Sequence, residues 1–294
     1  MVGLTKAYGR DVRALTDLDL TVERGEVFGY LGPNGAGKST TIRLLLGLIH
    51  PSSGRASILG RDARTAGVAA RRDVGYLPGD LRLGDRLTGR EQLDSLARLR
   101  GGVDAPTRDA LCARLQVDLD RPIRQLSKGN RQKIGLMLAF AHEPELVVLD
   151  EPTSGLDPLV QEKFHELLRE MADDGRTILL SSHVLDEVQR VADRITVIRE
   201  GRVVVTDTIA ALQAKVPRRV RFEFQEEVDP QRFDGLVGVD VVESGPHHVV
   251  LKVVGPVDAV VKAAAGLTTT DLLASPADLE ELFLGFYSGD SDGR

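Results

Sequence analysis

The chain has 294 residues, of which 42% are hydrophobic and 28% charged, enough for one large domain or a domain with a small companion. That composition excludes wholesale disorder, and a net charge of −6 argues against a basic nucleic-acid-binding surface. Cys112 is the single cysteine, which rules out an internal disulfide and a multi-cysteine metal site. No apolar run approaches the roughly 18 residues of a membrane helix, and the first residues lack a charged-then-apolar leader, so a cytoplasmic chain is expected.

In chain order, Val27 to Leu31 reads as a buried strand and Thr40 to Ile49 as a helix with Ile42, Leu45, Leu46 and Ile49 on one face. Between about Leu81 and His142 no strand pattern occurs. That stretch reads as a helical insertion carrying helices at Gln92–Leu99, Pro106–Leu115 and Ser127–Ala141. Cys112 falls in one of these helices beside Leu111 and Leu115 and is expected to be packed. Leu146 to Leu149 and Thr177 to Ser181 are further buried strands, with helix-core residues Phe164, Leu167, Leu168 and Met171 between them. Ile195 to Ile198 and Arg202 to Val205 form a hairpin pattern around Glu200-Gly201. Strands separated by helices indicate an α/β fold with a mixed sheet and a parallel core. Beyond Ala214 the pattern changes. Arg219–Phe224, Val239–Val242 and Val249–Val254 alternate, and Val257–Ala265 and Ala277–Phe286 read as helices. The expected organisation is a domain at 1–213 with a helical part at about 81–142, an α+β domain at 214–287 joined near Pro217, and a tail at 288–294.

Gly32-Pro33-Asn34-Gly35-Ala36-Gly37-Lys38-Ser39-Thr40 fits the phosphate-loop pattern G-x-x-x-x-G-K-[ST] without mismatch, between a strand and a helix. Glycines let the backbone wrap an anion, and helix N–H groups then face the β- and γ-phosphates. Lys38 adds a point charge, and the Ser39 hydroxyl can ligate Mg²⁺. Asp150 ends the apolar run that starts at Leu146, where a carboxylate can hold the same metal through its water shell. Glu151, one residue on, can take a proton from an attacking water. Ser127 is a good helix cap, and the apolar positions Ile134, Met137, Leu138 and Ala141 follow it on one face.

Leu126-Ser127-Lys128-Gly129-Asn130-Arg131-Gln132 lies 89 residues after Lys38 and 23 before Asp150, counted at Ser127. It resembles the LSGGQ signature of the ATP-binding-cassette (ABC) ATPases. The phosphate loop, Asp150-Glu151-Pro152-Thr153, Ser154-Gly155-Leu156-Asp157 and Ser181-Ser182-His183 resemble the same family, in order and spacing, over about residues 3 to 210. The resemblance implies the P-loop NTPase cassette fold, ATP and Mg²⁺ as ligands, and ATPase activity. It implies that two copies pack head to tail, so that Ser127 and Gly129 of one cap the γ-phosphate held by the other. Asp157 would pair across that interface, His183 would contact the γ-phosphate and orient the water, and Tyr8 would stack on adenine. The strand before Tyr8, at Met1–Leu4, reads as short or missing, either an edge strand cut down or a sign of an upstream start.

Three departures from the family pattern stand out. Lys128 and Asn130 replace the usual glycine and glutamine, and Lys128 either adds charge near the phosphates or faces solvent. Gly79 occupies the place of a glutamine that contacts metal and water. There Asp80 either substitutes one residue out of register or the role is lost. With no membrane segment in the chain, the output is expected in a separate membrane permease docked on the Leu81–Leu126 insertion and the Gly75–Asp85 loop. The C-terminal Asp278-Leu279-Glu280-Glu281-Leu282-Phe283 resembles the ends of cassettes serving two-subunit bacterial drug exporters. An exporter ATPase, peripheral on the inner face of the membrane, is therefore the expectation, with no nucleic-acid partner. An importer subunit and a soluble non-transport ABC ATPase are the alternatives.

Overall fold

The computed structural model describes every residue except Arg10, Asp11, Gly101, 276–278, 280–282 and 284–294, with only the backbone of Arg100. Two compact units divide after Thr206. In the first, β1 (Val2–Tyr8) and β2 (Val12–Leu18) form an antiparallel pair, followed by β3 (Val27–Leu31) and α1 (Lys38–Leu45). Then come β4 (Ser53–Arg55), β5 (Ser57–Ile58), β6 (Arg61–Asp62), α2 (Gly67–Arg71) and β7 (Val74–Leu77). The helical insertion holds α3 (Gly89–Arg100), α4 (Ala105–Leu115) and α5 (Lys128–Phe140). The chain returns through β8 (Leu146–Asp150), α6 (Pro158–Asp173), β9 (Thr177–Ser182), α7 (Leu185–Gln189), β10 (Arg194–Arg199) and β11 (Arg202–Thr208).

Six strands make the main sheet in the order β11-β10-β3-β9-β8-β7, with β10, β3, β9, β8 and β7 parallel. β3 and β8 are buried at every residue, which is why Val27–Leu31 and Leu146–Leu149 read in sequence as apolar runs. The order brings the C-terminal ends of β3, β8 and β9 side by side, where Gly32, Glu151 and His183 follow. A second, antiparallel sheet has the order β2-β1-β4. One core cluster joins the two sheets around α1, with Leu4, Leu15, Leu18, Phe28, Tyr30 and Ile42 fully buried. Inside it the Tyr30 hydroxyl bonds Thr41 Oγ1 at 3.0 Å.

Two expectations need correction. The strand at Met1–Leu4 is neither short nor at an edge: β1 has seven residues and is the central strand of its sheet. Its apolar signal is weak because Leu4 is its one fully buried side chain, while its polar side chains bond distant segments, Thr5 Oγ1 accepting from Asp17 N at 2.9 Å and Lys6 Nζ donating to His50 O at 2.7 Å. The helix placed at Thr40–Ile49 begins at Lys38 and ends at Leu45. Gly37 starts it from a left-handed conformation (φ +111°), and the left-handed Gly47 (φ +62°) follows its end.

The second unit contains α8 (Ile209–Lys215), β12 (Arg218–Phe224), β13 (Val239–Gly245), β14 (His248–Val253), α9 (Asp258–Ala264) and β15 (Thr269–Ala274). Its antiparallel sheet, ordered β13-β14-β12-β15, buries Val220, Phe222, Phe224, Phe233, Val249, Leu251 and Val260 in one cluster. Most of the helix expected at Ala277–Phe286 lies outside the described residues. Leu279 and Phe283 are described, and both are buried.

Candidate functional site

The loop between β3 and α1 closes around a cavity of about 190 Å³ lined by Ala14, Pro33, Asn34, Gly35, Gly37, Lys38, Ser39, Thr40 and Glu151. At Gly37 a Cβ would come within 2.7 Å of the Ala14 carbonyl oxygen, so only glycine allows both this turn and its approach to β2. The first-turn amides of α1 have no acceptor within the helix and, at its N-terminus, suit an anion. Gly32 and Ala36 hold the loop from behind. Gly32 N donates to Ser182 O at 3.3 Å, and the Ala36 carbonyl accepts from Gly201 N at 2.9 Å.

Lys38 is 6% exposed. Its ammonium folds back onto the loop, donating to Gly32 O at 2.6 Å and Pro33 O at 3.3 Å, and lies 3.3 Å from Glu151 Oε1. A buried ammonium held only by carbonyl oxygens and one carboxylate fits a site built for a denser anion such as a phosphate. Glu151 projects from the end of β8 with φ +52°, in the left-handed region that a residue with a side chain occupies only at a cost of order 1–3 kcal/mol. Its amide bonds Ser181 O at 3.0 Å, and Pro152 after it disfavours the right-handed helical alternative. His183 Nδ1 bonds Glu151 Oε2 at 2.7 Å. A lysine from the start of α1, a glutamate from the end of β8 and a histidine from the end of β9 thus form one chain of contacts.

Asp150 is buried, and Ser181 Oγ donates to its Oδ1 at 2.9 Å. A Cβ at Gly79 would lie 3.2 Å from Asp150 Oδ2, so position 79 faces the acid although glycine has nothing to offer it. Burial, and then the charge of Asp150, push the nearby Tyr76 phenol up to about 12. Asp80 is an exposed residue and pairs with Arg82 at 3.1 Å. Ser39 and Asp150 offer hard oxygen donors. Among the described residues no three His, Cys, Asp or Glu side chains converge to hold a metal. That donor set fits Mg²⁺, which takes one or two protein oxygens and completes its shell with phosphate and water.

The signature residues lie elsewhere. Ser127 caps α5, its Oγ accepting from Asn130 N at 3.3 Å, and neither Ser127 nor Gly129 is among the described residues lining the phosphate-loop cavity. Gly129 packs on the 154–157 turn, where a Cβ would sit 2.2 Å from Gly155 O. Lys128 is exposed, as the solvent-facing alternative has it, and donates to Ser154 Oγ at 2.7 Å. Asp157 caps α6 through Val160 N at 3.0 Å and lies 3.6 Å from Lys133 Nζ. The Val160 amide, more than the lysine, holds the Asp157 carboxyl below its ordinary range. Tyr8 is 45% exposed at the end of β1, with Lys6 Nζ 4.9 Å from its ring centre. Cys112 is half-buried, its Sγ 3.8 Å from Met137 Sδ. Two side chains that the sequence reading did not single out tie the parts together. Gln132 is buried and donates to the carbonyls of Glu151 (3.2 Å) and Pro152 (3.0 Å), and Glu187 accepts from one hydroxyl in the turn after β8 and one at the end of β9. Gln132 ends the Leu126–Gln132 stretch, which does not indicate these contacts, and no motif marks Glu187.

The family model described as ABC transporter matches residues 15–154. Nod factor export ATP-binding protein I of Sinorhizobium fredii (strain NBRC 101917 / NGR234) is 34% identical, the match covering 97% of this chain and 84% of that protein. The chain belongs to the ABC transporter ATP-binding proteins. A second member, the daunorubicin/doxorubicin resistance ATP-binding protein DrrA of Streptomyces peucetius, is 32% identical over 99% of this chain and 93% of its own. Among solved structures, an ATP-binding subunit of an ABC transporter superposes with a TM-score of 0.65 at 33% identity, covering 72% of this chain and 90% of that one. As an ABC cassette the chain is a P-loop ATPase. Among the described residues no helix is long and apolar enough to cross a membrane.

Proposed function

We propose that this ABC ATPase powers export through a separate membrane permease, working as a homodimer on the inner face of the cell membrane. Relatives named for Nod factor export and for drug resistance match nearly the whole chain, beyond the nucleotide-binding motifs, which supports export over import. The observation that carries the dimer is the separation of the two phosphate-binding features. The capped N-terminus of α5 is not among the described residues lining the cavity formed by the phosphate loop and Glu151, which supports a second chain bringing its own Ser127 and Gly129 to the γ-phosphate. Asp157 would then face the partner.

In this reading Lys38 and the first-turn amides of α1 grip the β- and γ-phosphates, and Tyr8 stacks on the adenine face. Ser39 and Asp150 would hold Mg²⁺, which would supply positive charge against the phosphates. Lys38 exchanges its loop carbonyls and Glu151 for phosphate oxygens. That leaves His183 as the side chain fixing Glu151, through Oε2, and Oε1 turns to accept a proton from the attacking water. The Glu151→Gln variant should bind ATP, hydrolyse it about 10²–10⁴-fold more slowly and elute as a dimer in size-exclusion chromatography with ATP. A monomer under those conditions would count against the shared site.

A further inference from the structure

We infer that Glu187 is a positioning residue for hydrolysis, an inference that rests on Glu151 as the base acting on the attacking water and on His183 as the side chain that fixes it. Its carboxylate joins the turn after β8 to the end of β9. Oε1 accepts from Thr153 Oγ1 at 2.5 Å and Oε2 from Ser182 Oγ at 2.7 Å. Thr153 stands two residues after Glu151, and Ser182 immediately precedes His183. Both hydroxyl residues are buried, at 4% and 0% exposure, so neither can exchange the carboxylate freely for water. Ser182 also receives the amide of Gly32 at its carbonyl and the amide of Val184 at its hydroxyl, which links the same brace to the phosphate loop. Glu187 itself is fixed because α7 packs on β3. Val188 is fully buried, and its Cγ1 fills the space a Cβ at Gly29 would need.

One carboxylate therefore adds a side-chain tie between the segment carrying Glu151 and the segment carrying His183, beyond the point where the strand pairing ends in the bond from Glu151 N to Ser181 O. Those two side chains meet at 2.7 Å, a contact that a small slip of either segment would break. Glu187 is not among the described residues lining the phosphate-loop cavity. Its effect passes through Glu151 and His183.

The test is single-turnover ATP hydrolysis by the full chain, with nucleotide affinity and the thermal midpoint measured on each variant. Glu187→Ala and Thr153→Val should lower the rate about 10–100-fold, the scale of an ångström of misplacement, with nucleotide affinity unchanged. Glu187→Gln keeps the shape and can hydrogen-bond both hydroxyls, so it should retain a rate within about threefold of the native chain and serves if the alanine variant fails to fold. In a Glu151→Gln background, Glu187→Ala should change the residual rate less than twofold, because there is no base left to misplace. A native rate in both Glu187→Ala and Thr153→Val overturns the inference. So does a Glu187→Gln variant as slow as Glu187→Ala, or a full additive loss in the Glu151→Gln background. A Glu151→Gln chain that hydrolyses ATP at the native rate would sink the base assignment, and the brace with it.

Discussion

Lys38 is the residue on which nucleotide binding turns. Its ammonium is buried among Gly32 O, Pro33 O and Glu151 Oε1, contacts that place a positive charge at the floor of the phosphate-loop cavity. Lys38→Ala removes that charge and leaves the carboxylate of Glu151 facing the site where phosphate would enter. Nucleotide affinity, read by titration calorimetry, should fall at least 100-fold. An unchanged affinity would mean that the loop does not hold the phosphates. At this scale much of the site was legible, because Lys38, Ser39, Asp150 and Glu151 have roles dictated by residue type and by position at strand ends and a helix start. The direction of each side chain was not. Neither the 2.7 Å contact between Glu151 and His183 nor the Lys128–Ser154 bond follows from spacing, since each joins segments more than 20 residues apart.

Among the elements, α5 shows how a motif is anchored. Ser127 caps it, Gln132 ties it to the carbonyls after β8, and Gly129 lets it press on the 154–157 turn. Gly129→Ala would place a methyl group 2.2 Å from Gly155 O, and because the obstacle is backbone the helix must shift. A loss of about 1–3 kcal/mol in chemical denaturation is expected. Nucleotide affinity of the single chain should stay as it was, because Gly129 does not line the phosphate-loop cavity. Loss of affinity would argue that the signature helix shapes the site within its own chain. Helices and buried strands of this kind were legible because their periodicity matches their burial. β1 was not, since Leu4 is the one fully buried residue of its seven and leaves little hydrophobic pattern.

For the folded molecule, acid stability depends in part on a histidine outside the site. His165 on α6 has a buried Nε2 without a hydrogen-bond partner among the described residues, and its ring lies 5.7 Å from Phe164. Burial lowers its pKa from the ordinary 6.5, outweighing the carboxylates of Glu187 and Glu162. The folded chain therefore binds this proton less readily than the unfolded chain. Stability is unaffected above about pH 6.5 and falls as pH drops below it, until the folded-state pKa is passed. His165→Leu should flatten that part of the stability profile, measured by urea denaturation between pH 5 and 7. A slope unchanged from the native chain would assign it to other groups.

By itself the sequence determined that a strand runs into a phosphate loop and a helix, that acids end a second buried strand, and that a capped helix follows a helical insertion. These are local properties, written in residue type and periodicity over a few neighbouring positions. Tertiary structure decided which of these ends meet. Strand order sets β3, β9 and β8 side by side, so that Gly32, His183 and Glu151 share one rim, while the start of α5 stays outside the cavity. It also decided that Glu187 should hold Thr153 and Ser182 together. The reason is that pairing between strands depends on contacts across the whole unit, and a side chain's partner is chosen by that pairing rather than by its neighbours in the chain.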